Sequence, residues 1–348
     1  MCMVDISIII PIFNVEDYIE RCILSVMCQE CKGISIECIL IDDKSPDGSI
    51  DKAIRLIEDY SGNIVFKVVK HEQNQGQSAA RNTGIKYATG KYLFFLDSDD
   101  DLLYSCIKKL WNVVLRHPDI QLVMGNFLDK RTGGVGINNS RISRGVLNNY
   151  QLLEMFFLKY IPVMPWNCLI LKDIIVKNNL SFKIGLLQED MLWSSQLFRH
   201  IDKFYFVSDV TLSYEYNPTS IMSVLSNDET RHIPHQLYII KEFLNTFRKD
   251  HCVSNTLYIM SELLLVLDII WKNDKVVEES LVKTAFDYRN ELFKISLANY
   301  RFLLSLYELI MFNPFRYILK YRPFRRNYHR ISIALYNLAS AFDKLHRR

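Results

Sequence analysis

The sequence lacks three features that would assign its class directly. Its longest apolar stretch, residues 295–312, is interrupted by Arg301 and Glu308, so no run reaches transmembrane length. It has no GxxxxGK loop and no GxGxxG after its first predicted strand, which argues against P-loop and Rossmann dinucleotide enzymes. The N-terminus enters a predicted strand without the basic flank or cleavage site of a signal peptide, so we expect a cytoplasmic protein.

Cysteine is present, but its spacing favours neither a disulfide framework nor a zinc site. The chain has 8 Cys, most of them in apolar patterns typical of small buried side chains. Cys28 and Cys31 form a single CxxC pair, with no second pair or His at metal-site spacing. We therefore expect reduced thiols, in agreement with a cytoplasmic location.

Composition indicates a globular protein with a distinct tail. The 348 residues are 49% apolar and 23% charged, enough for one large or two ordinary domains. The net charge of +3 is uneven, because residues 311–348 hold nine Lys or Arg and a single Asp. This pattern predicts a mildly acidic body and a basic tail with an anionic partner.

Strands and helices alternate through the first part of the chain, which predicts an α/β fold with a mainly parallel central sheet. The predicted strands are Ser7–Pro11, Ser35–Ile41, Ile64–Val69, Tyr92–Leu96, Ile120–Phe127, Trp166–Leu171, Lys203–Ser208 and Thr211–Tyr216. The predicted helices are Val15–Met27 (with Asn14 as N-cap), Ile50–Tyr60, Gln77–Ala88, Leu102–Arg116, Tyr150–Tyr160 and Leu187–His200. Residues 130–145 read as a loop or irregular hairpin. The signal is helical from Glu229 onward, so we expect an α/β domain over 1–220 and a helical region over 221–348.

The fourth predicted strand runs directly into an acidic cluster. The apolar residues Tyr92 to Leu96 precede Asp97, and Asp99, Asp100 and Asp101 follow within five residues. Crowded carboxylates repel one another unless a cation lies between them, and their hard oxygens suit Mg²⁺ or Mn²⁺. The alternative is a solvated acidic loop that opens the next helix.

Polar motifs also follow the first three predicted strands, at the edge where α/β sheets bind ligands. They are Pro11-Ile12-Phe13-Asn14, Asp42-Asp43 and the segment Asn74 to Asn82, which contains Arg81. With the acidic cluster they form four ordered motifs. On these the chain resembles family 2 glycosyltransferases of the GT-A fold, closely over residues 6–105 and more loosely over 160–216. The resemblance divides the domain into a donor half, 1–105, and an acceptor half, 106–220.

The resemblance implies a role for each donor-side residue. Phe13, flanked by Pro11 and Asn14, matches the position that stacks on the nucleotide base, and Asp42 and Asp43 match the pair that reads uracil and ribose. Asp97 and Asp99, with Ser98 between them, match the two acids of the DxD motif at the metal site. Asp99 would be the direct metal ligand, and Asp97 would bond the ribose or a metal-bound water. Arg81 matches an arginine that bonds the carboxylates or the diphosphate.

The alternatives are a core Phe13, a helix cap or turn for one acid of the Asp pair, and a structural ion pair for Arg81. Asp100 and Asp101 are interpreted as helix-starting residues.

A second acidic pair lies in the acceptor half. Glu189 and Asp190 resemble the family's Glu-Asp motif, in which Asp190 would be the general base and Glu189 its acidic neighbour. The alternative is that both are first-turn residues that offset a helix dipole. The segment Trp166-Asn167 resembles one that lines the acceptor side, so Trp166 and Trp193 are interpreted as platforms for a sugar ring, or as buried core residues.

The basic tail fits more than one partner. Ile331, Leu335, Leu338, Phe342 and Leu345 form an apolar stripe at helical spacing among basic and aromatic residues. Such a helix suits an anionic membrane surface at the inner face of the plasma membrane. It can equally pack on the body or on a second subunit, as in a homodimer. No nucleic-acid motif accompanies it, so we expect no nucleic-acid partner.

Together with these observations, the family resemblance implies an inverting, metal-dependent glycosyltransferase. It would move a sugar from a nucleotide-diphosphate donor, with uridine diphosphate as the favoured carrier, to a hydroxyl of a glycan or lipid-linked acceptor in bacterial surface-polysaccharide synthesis. The alternatives are a sugar nucleotidyltransferase, which would need a Gly-rich basic loop after strand one, and a catalytically inactive glycan-binding scaffold. The intact Asp97, Asp99 and Asp190 count against the scaffold.

Overall fold

The structure is a computed structural model that describes residues 4–298, except 139, 141, 143, 164, 216, 219–228, 248–252 and 274–276. The chain divides into two compact units, one of Met1–Phe156 with Tyr160–Thr219 and one of Phe157–Lys159 with Ser220–Arg348. The basic tail, 311–348, lies outside the described residues, so its membrane contact stays a prediction. The assignment of donor and acceptor halves stays a prediction as well.

The first part of the α/β unit is a parallel sheet, as the alternating pattern predicts. Its elements are β1 (Ile6–Ile12), α1 (Ile19–Met27), β2 (Ile36–Asp42), α2 (Ser49–Glu58), β3 (Val65–Lys70), α3 (Gln77–Tyr87) and β4 (Tyr92–Phe95). The strands lie in the order β3-β2-β1-β4, and every pair is parallel. β1 is buried on both faces: Ile8 and Ile10 belong to a core cluster shared with α1 and α4 (Cys106–Arg116), while Ile9 meets α3.

The remainder of the sheet is mixed. It is built from β5 (Asp101–Leu102), β6 (Leu122–Asp129), β7 (Gly134–Val135), β8 (Val146–Asn148), β9 (Cys168–Leu171) and β10 (Lys203–Tyr214), with helices α5 (Asn149–Phe157), α6 (Lys172–Lys177) and α7 (Glu189–Phe198). The order continues from β4 as β9-β6-β10-β5, with β7 on β6 and β8 on β10. β10 is parallel to β6, whereas β9, β5, β7 and β8 pair antiparallel with their neighbours.

Long-range pairing corrects three predicted elements. The helix predicted from Leu102 begins at Cys106, because Asp101 and Leu102 pair with β10 as a short strand. The two strands predicted over 203–216 are one strand with two register shifts, between Val207 and Leu212.

The first predicted helix also begins later than its pattern indicates. Asn14 does not cap it, because the residue has a left-handed φ of 54° and α1 begins at Ile19. A turn precedes the helix instead, in which the N–H groups of Tyr18 and Ile19 both donate to the Val15 carbonyl.

The second unit is helical in its described part. It contains α8 (His232–Phe247), α9 (Val253–Lys272) and α10 (Glu279–Ala298). Its buried polar centre is Glu262, which accepts from Lys159 Nζ at 2.6 Å and from Gln236 Nε2 at 2.5 Å. Among the described helices, none combines the length and apolar character needed to cross a bilayer.

The described cysteines are free thiols. Cys22, Cys38, Cys106 and Cys168 are buried, Cys28 is exposed and Cys31 is intermediate. Within residues 4–298 as described, no three His, Cys, Asp or Glu side chains are grouped as a metal cage.

Close contact between α3 and β1 requires a glycine at position 84. A Cβ built there would lie 2.2 Å from Cγ2 of Ile9, which is itself fully buried. We expect Gly84→Ala to lower the free energy of unfolding, because overpacking costs about 1–3 kcal/mol whereas the gain in helix propensity is about 1 kcal/mol. Urea denaturation measures the change. Lys86→Ala, at an exposed position of the same helix, is the control; a Gly84→Ala protein more stable than the control would contradict the packing argument.

Candidate active site

Several polar segments meet at one edge of the sheet because β1, β2 and β4 run parallel and end side by side. Ile12 pairs with Asp42 in register, and Ile9 pairs with Phe95, so the loops that follow these strands emerge together. Such an edge is where open α/β sheets bind ligands. The structure also brings the start of α3 and the first turn of α7 to the same place, as the contacts of Arg81 described below show.

The loop after β1 presents an aromatic ring to solvent. Phe13 is 44% exposed, which separates it from the core residues of β1. Pro11 is buried opposite Ile41, and the N–H of Asn14 donates to Ser45 Oγ at 2.8 Å. An exposed ring held at this edge has the surface that base stacking needs. The stacking itself stays a prediction.

The two acids after β2 have different surroundings. Asp43 is 2% exposed, and its carboxylate accepts from the N–H groups of Gln75 at 2.9 Å and Gly76 at 2.7 Å. It also lies 2.6 Å from His71 Nδ1. Asp43 therefore fixes the turn that leads into α3, which is the turn alternative foreseen for one acid of the pair. Asp42 is also buried, with Oδ1 accepting from Ser45 N at 2.9 Å.

The acidic loop after β4, residues 97–101, is buried or partly buried at every position and is held by several hydrogen bonds. Asp99 Oδ2 accepts from Asn217 Nδ2 at 3.0 Å, and Asp100 Oδ1 accepts from the N–H of Glu215 at 2.9 Å. Ser98 is buried between the acids. The interpretation of Asp100 and Asp101 as helix-starting residues is wrong, because both are held against the end of β10 and the helix begins at Cys106.

The charge state of this loop favours a cation. Burial, followed by repulsion from Asp97, raises the pKa of the Asp99 carboxyl. Burial also raises the pKa of the Asp100 carboxyl well above its usual value, with Asp97 and Asp99 adding to it, and Asp100 Oδ2 is buried without a hydrogen-bond partner. A divalent ion would relieve this crowding, and Mg²⁺ is commonly held by one or two carboxylates together with substrate phosphates.

Arg21 is a functional candidate that the sequence pattern missed. Its guanidinium donates to the Asp99 carbonyl at 2.9 Å and to Asp101 Oδ1 at 2.6 Å, and it lies 3.4 Å from Glu215 Oε2. It therefore joins α1, the acidic loop and the end of β10. Arg21 lies on a helix that carries no motif, so only the three-dimensional contacts reveal it.

Arg81 links the acidic loop to α7. Its Nη2 donates to Asp97 Oδ1 and its Nη1 to Glu189 Oε1, both at 2.8 Å. The Arg81 side chain is only 3% exposed. Gln77 Nε2 is a further donor to Asp97 Oδ1, at 3.2 Å. One guanidinium thus joins Asp97 of the acidic loop to Glu189, the neighbour of Asp190, although the two acids are far apart in sequence.

Asp190 has the environment of a base that operates near neutral pH. It lies in the first turn of α7, which is entered through Gln188 in a left-handed conformation with φ 59°. Burial, followed by repulsion from Glu189, raises the pKa of Asp190 to about 7, although the N–H of Met191 donates to its Oδ1 at 2.8 Å. Both Glu189 and Asp190 lie in the first turn of α7, as the helix-dipole alternative also expects, and burial shifts the pKa of Asp190 in the direction opposite to that of a helix N-terminus.

The three predicted acceptor residues lie in different surroundings. Trp193 is 1% exposed and stacks on Phe182 with ring centroids 4.4 Å apart, so the structure corrects its interpretation as a sugar platform to that of a core residue. Asn167 is fully buried and accepts from Thr211 Oγ1 at 2.8 Å, which likewise keeps it from contact with an acceptor. Trp166 is only partly buried and stacks on Tyr214 at 5.6 Å, so it remains the candidate platform.

Comparisons with known proteins indicate the family and the fold of the chain. Residues 7–176 match the model of the family described as Glycosyl transferase family 2. The chain is 26% identical to the uncharacterized glycosyltransferase YibD of Escherichia coli K12 over 96% of this chain and 98% of YibD. It is 29% identical to the poly(ribitol-phosphate) beta-N-acetylglucosaminyltransferase TarP of Staphylococcus aureus N315, over 62% of each chain. The crystal structure of S. aureus TarS 1-349 with UDP-GlcNAc has a TM-score of 0.63 and 18% identity, covering 84% of this chain and 81% of that one.

Proposed function

The chain is a family 2 glycosyltransferase with the GT-A fold, related to enzymes of teichoic acid and surface glycan synthesis, and from this we propose that it is an inverting, metal-dependent transferase. In this proposal it moves a sugar from a uridine diphosphate donor to a hydroxyl of a surface glycan or its lipid-linked precursor. The proposal extends the family assignment to a donor, an acceptor class, a cofactor and a stereochemical outcome.

The observation that carries the proposal is the link between the acidic loop and the base candidate through Arg81. Asp97 and Glu189 accept from the same guanidinium, each at 2.8 Å, so Asp190 is held beside the loop that would bind the donor diphosphate. A transferase needs a leaving-group site and a base at one centre.

The donor side is assigned from the residues at the sheet edge. Phe13 stacks on the base, Asp42 accepts from the base or ribose, and Asp97 with Ser98 contacts the ribose side. Uridine is the favoured base because TarS, which shares the fold, was crystallised with UDP-GlcNAc. Asp99 is the principal ligand for Mg²⁺ or Mn²⁺; when bound, the ion supplies Lewis-acid neutralisation of the leaving diphosphate.

The acceptor side supplies the base and the attack geometry. Asp190 removes the proton from the acceptor hydroxyl as the hydroxyl oxygen attacks the anomeric carbon from the face opposite the diphosphate. The new glycosidic bond forms while the bond from the anomeric carbon to the diphosphate oxygen breaks, and the diphosphate leaves with that electron pair. Inversion follows from the single displacement. Trp166, which is partly buried and stacked on Tyr214, is the candidate for contact with the acceptor sugar.

Donor turnover tests the proposed function directly. We expect the protein to release UDP from at least one UDP-sugar when Mn²⁺ or Mg²⁺ is present, slowly with water and faster with a suitable acceptor. The measurement is chromatographic detection of UDP across a panel of UDP- and GDP-sugars, with EDTA as the metal-free control. Stable binding of a nucleotide sugar with no turnover under any condition would favour the inactive scaffold, and preferential use of GDP-sugars would remove the uridine assignment.

A further inference from the structure

The guanidinium of Arg81 forms its ion pairs with protein carboxylates only. Both terminal nitrogens are committed, Nη2 to Asp97 and Nη1 to Glu189, each at 2.8 Å. The remaining nitrogen, Nε, is buried without a hydrogen-bond partner. The side chain is 3% exposed, so a phosphate could reach the guanidinium only if one of the two ion pairs broke. This geometry argues against the direct donor contact that the family resemblance left open.

Aromatic packing holds the guanidinium in place. The Arg81 guanidinium carbon lies 5.3 Å from the centroid of the Phe182 ring, within cation–π range. Phe182 stacks on Trp193 of α7 at 4.4 Å, and Trp193 also meets Phe95 of β4 edge-on at 5.8 Å. The ring cluster therefore ties together the same two elements, β4 and α7, that Arg81 ties through charge.

The neighbouring residue anchors the loop that leads to α7. Asn82 Nδ2 donates to the Phe182 carbonyl, and the Phe182 N–H donates to Asn82 Oδ1, both at 2.8 Å. These two hydrogen bonds fix the backbone at Phe182, seven residues before Glu189, against α3. Consecutive residues of one helix thus set both the path of the chain into α7 and the charge at its first turn.

We propose that Arg81 is a positioning residue that holds the base, Asp190, at a set distance from the donor loop by bonding Asp97 on one side and Glu189 on the other. The inference rests on the proposed function. Arg81 acts through Glu189, which precedes the base in the same helical turn, and it contacts neither donor nor acceptor. A planar fork can bridge two carboxylates in a defined geometry, whereas an ammonium group cannot fix that geometry.

The test separates catalysis from donor binding. The variants are Arg81→Met, Arg81→Lys, Glu189→Gln and the double variant Arg81→Met/Glu189→Gln, with Arg55→Met at an exposed position of α2 as the control. We expect Arg81→Met to lower kcat about a hundredfold, the effect of a small misplacement of a reacting group. The Kd for UDP with Mn²⁺, measured by calorimetry, should rise far less than kcat falls, because Asp97 keeps its hydrogen bond from Gln77. Arg81→Lys should recover part of the lost kcat because its charge can hold one carboxylate.

The double variant decides whether Arg81 acts through Glu189. If it does, the double variant loses no more kcat than Arg81→Met alone, whereas independent roles give losses that multiply. Multiplying losses, or a weakened Kd for UDP with an unchanged kcat, would overturn the proposal. If Arg81→Met does not fold, Arg81→Lys and its combination with Glu189→Gln answer the same question.

Failure of the proposed function is distinguishable from failure of this inference. If the wild-type protein transfers no sugar, amide hydrogen exchange still tests whether Arg81 holds the first turn of α7 through Glu189. Arg81→Lys should then speed exchange at residues 186–192 and leave α4 unchanged. Unaltered exchange over 186–192 would show that Arg81 does not hold this turn.

Discussion

Asp190→Asn is expected to lower kcat by about a hundredfold to ten-thousandfold, the range that a positioned general base contributes. The amide has almost the same shape as the carboxylate but cannot accept the acceptor proton. Donor binding should persist, because the contacts assigned to the donor lie on the loops after β1, β2 and β4. Single-turnover transfer and calorimetric binding of UDP with Mn²⁺ measure the two effects separately. Asp173→Asn, at an exposed ion pair with Lys177, is the matched control.

The pH profile gives a second signature of the same assignment. Because burial raises the pKa of Asp190 to about 7, the carboxyl is protonated below that pH and cannot act as a base. We therefore expect kcat/KM of the wild type to fall about tenfold per pH unit below pH 7 and to level off above it. The residual kcat/KM of Asp190→Asn should not show this fall below pH 7. Near-wild-type turnover in the variant would remove Asp190 as the base.

Asp99→Asn is expected to give the second large loss, about a hundredfold or more in metal-dependent turnover. The substitution removes the charge of the principal metal ligand, and several kcal/mol of leaving-group stabilisation corresponds to at least that factor. The affinity for UDP in the presence of Mn²⁺ should fall towards the value measured in EDTA. Calorimetric titration of UDP, with and without Mn²⁺, is the measurement.

The melting temperature of Asp99→Asn shows whether a loss of activity comes from the missing metal ligand or from a destabilised fold. Burial and the nearby Asp97 raise the pKa of the Asp99 carboxyl, so a neutral amide relieves repulsion and should leave the melting temperature unchanged or higher. Asp59→Asn, at an exposed position, is the control for an acid-to-amide change. A variant that keeps wild-type Mn²⁺ dependence would show that another residue holds the metal.

The sequence predicts the parallel half of the sheet well because its signals are local. Short apolar runs such as Tyr92–Phe95 are buried along their whole length, and the motifs after them lie where strand direction alone places them. Elements that depend on distant partners were harder to predict. The helical pattern from Leu102 could not show that β10 pairs with this residue as a strand.

The candidate site shows the same division. Motifs single out Asp97 and Asp190 as candidates, but the hydrogen bond from Arg81 to Glu189 spans 108 positions, and no local pattern encodes it. Trp193 shows the opposite error, since an aromatic residue in a motif has no sequence mark that distinguishes a binding platform from core packing. Its full burial against Phe182 is a property of the assembled fold.

The bonds that hold the acidic loop have a consequence for how the protein folds. Asp99 and Asp100 are fixed by Asn217 and Glu215, across 118 and 115 positions of chain, and Asp101 is fixed by Arg21 across 80. Contacts of such long sequence separation form late, because the entropy of closing the loop must be lost before they contribute. We therefore expect the acidic loop to reach its final shape only after β10 has joined the sheet, so a chain in which only β1, β2 and β3 were paired would still lack the proposed metal site.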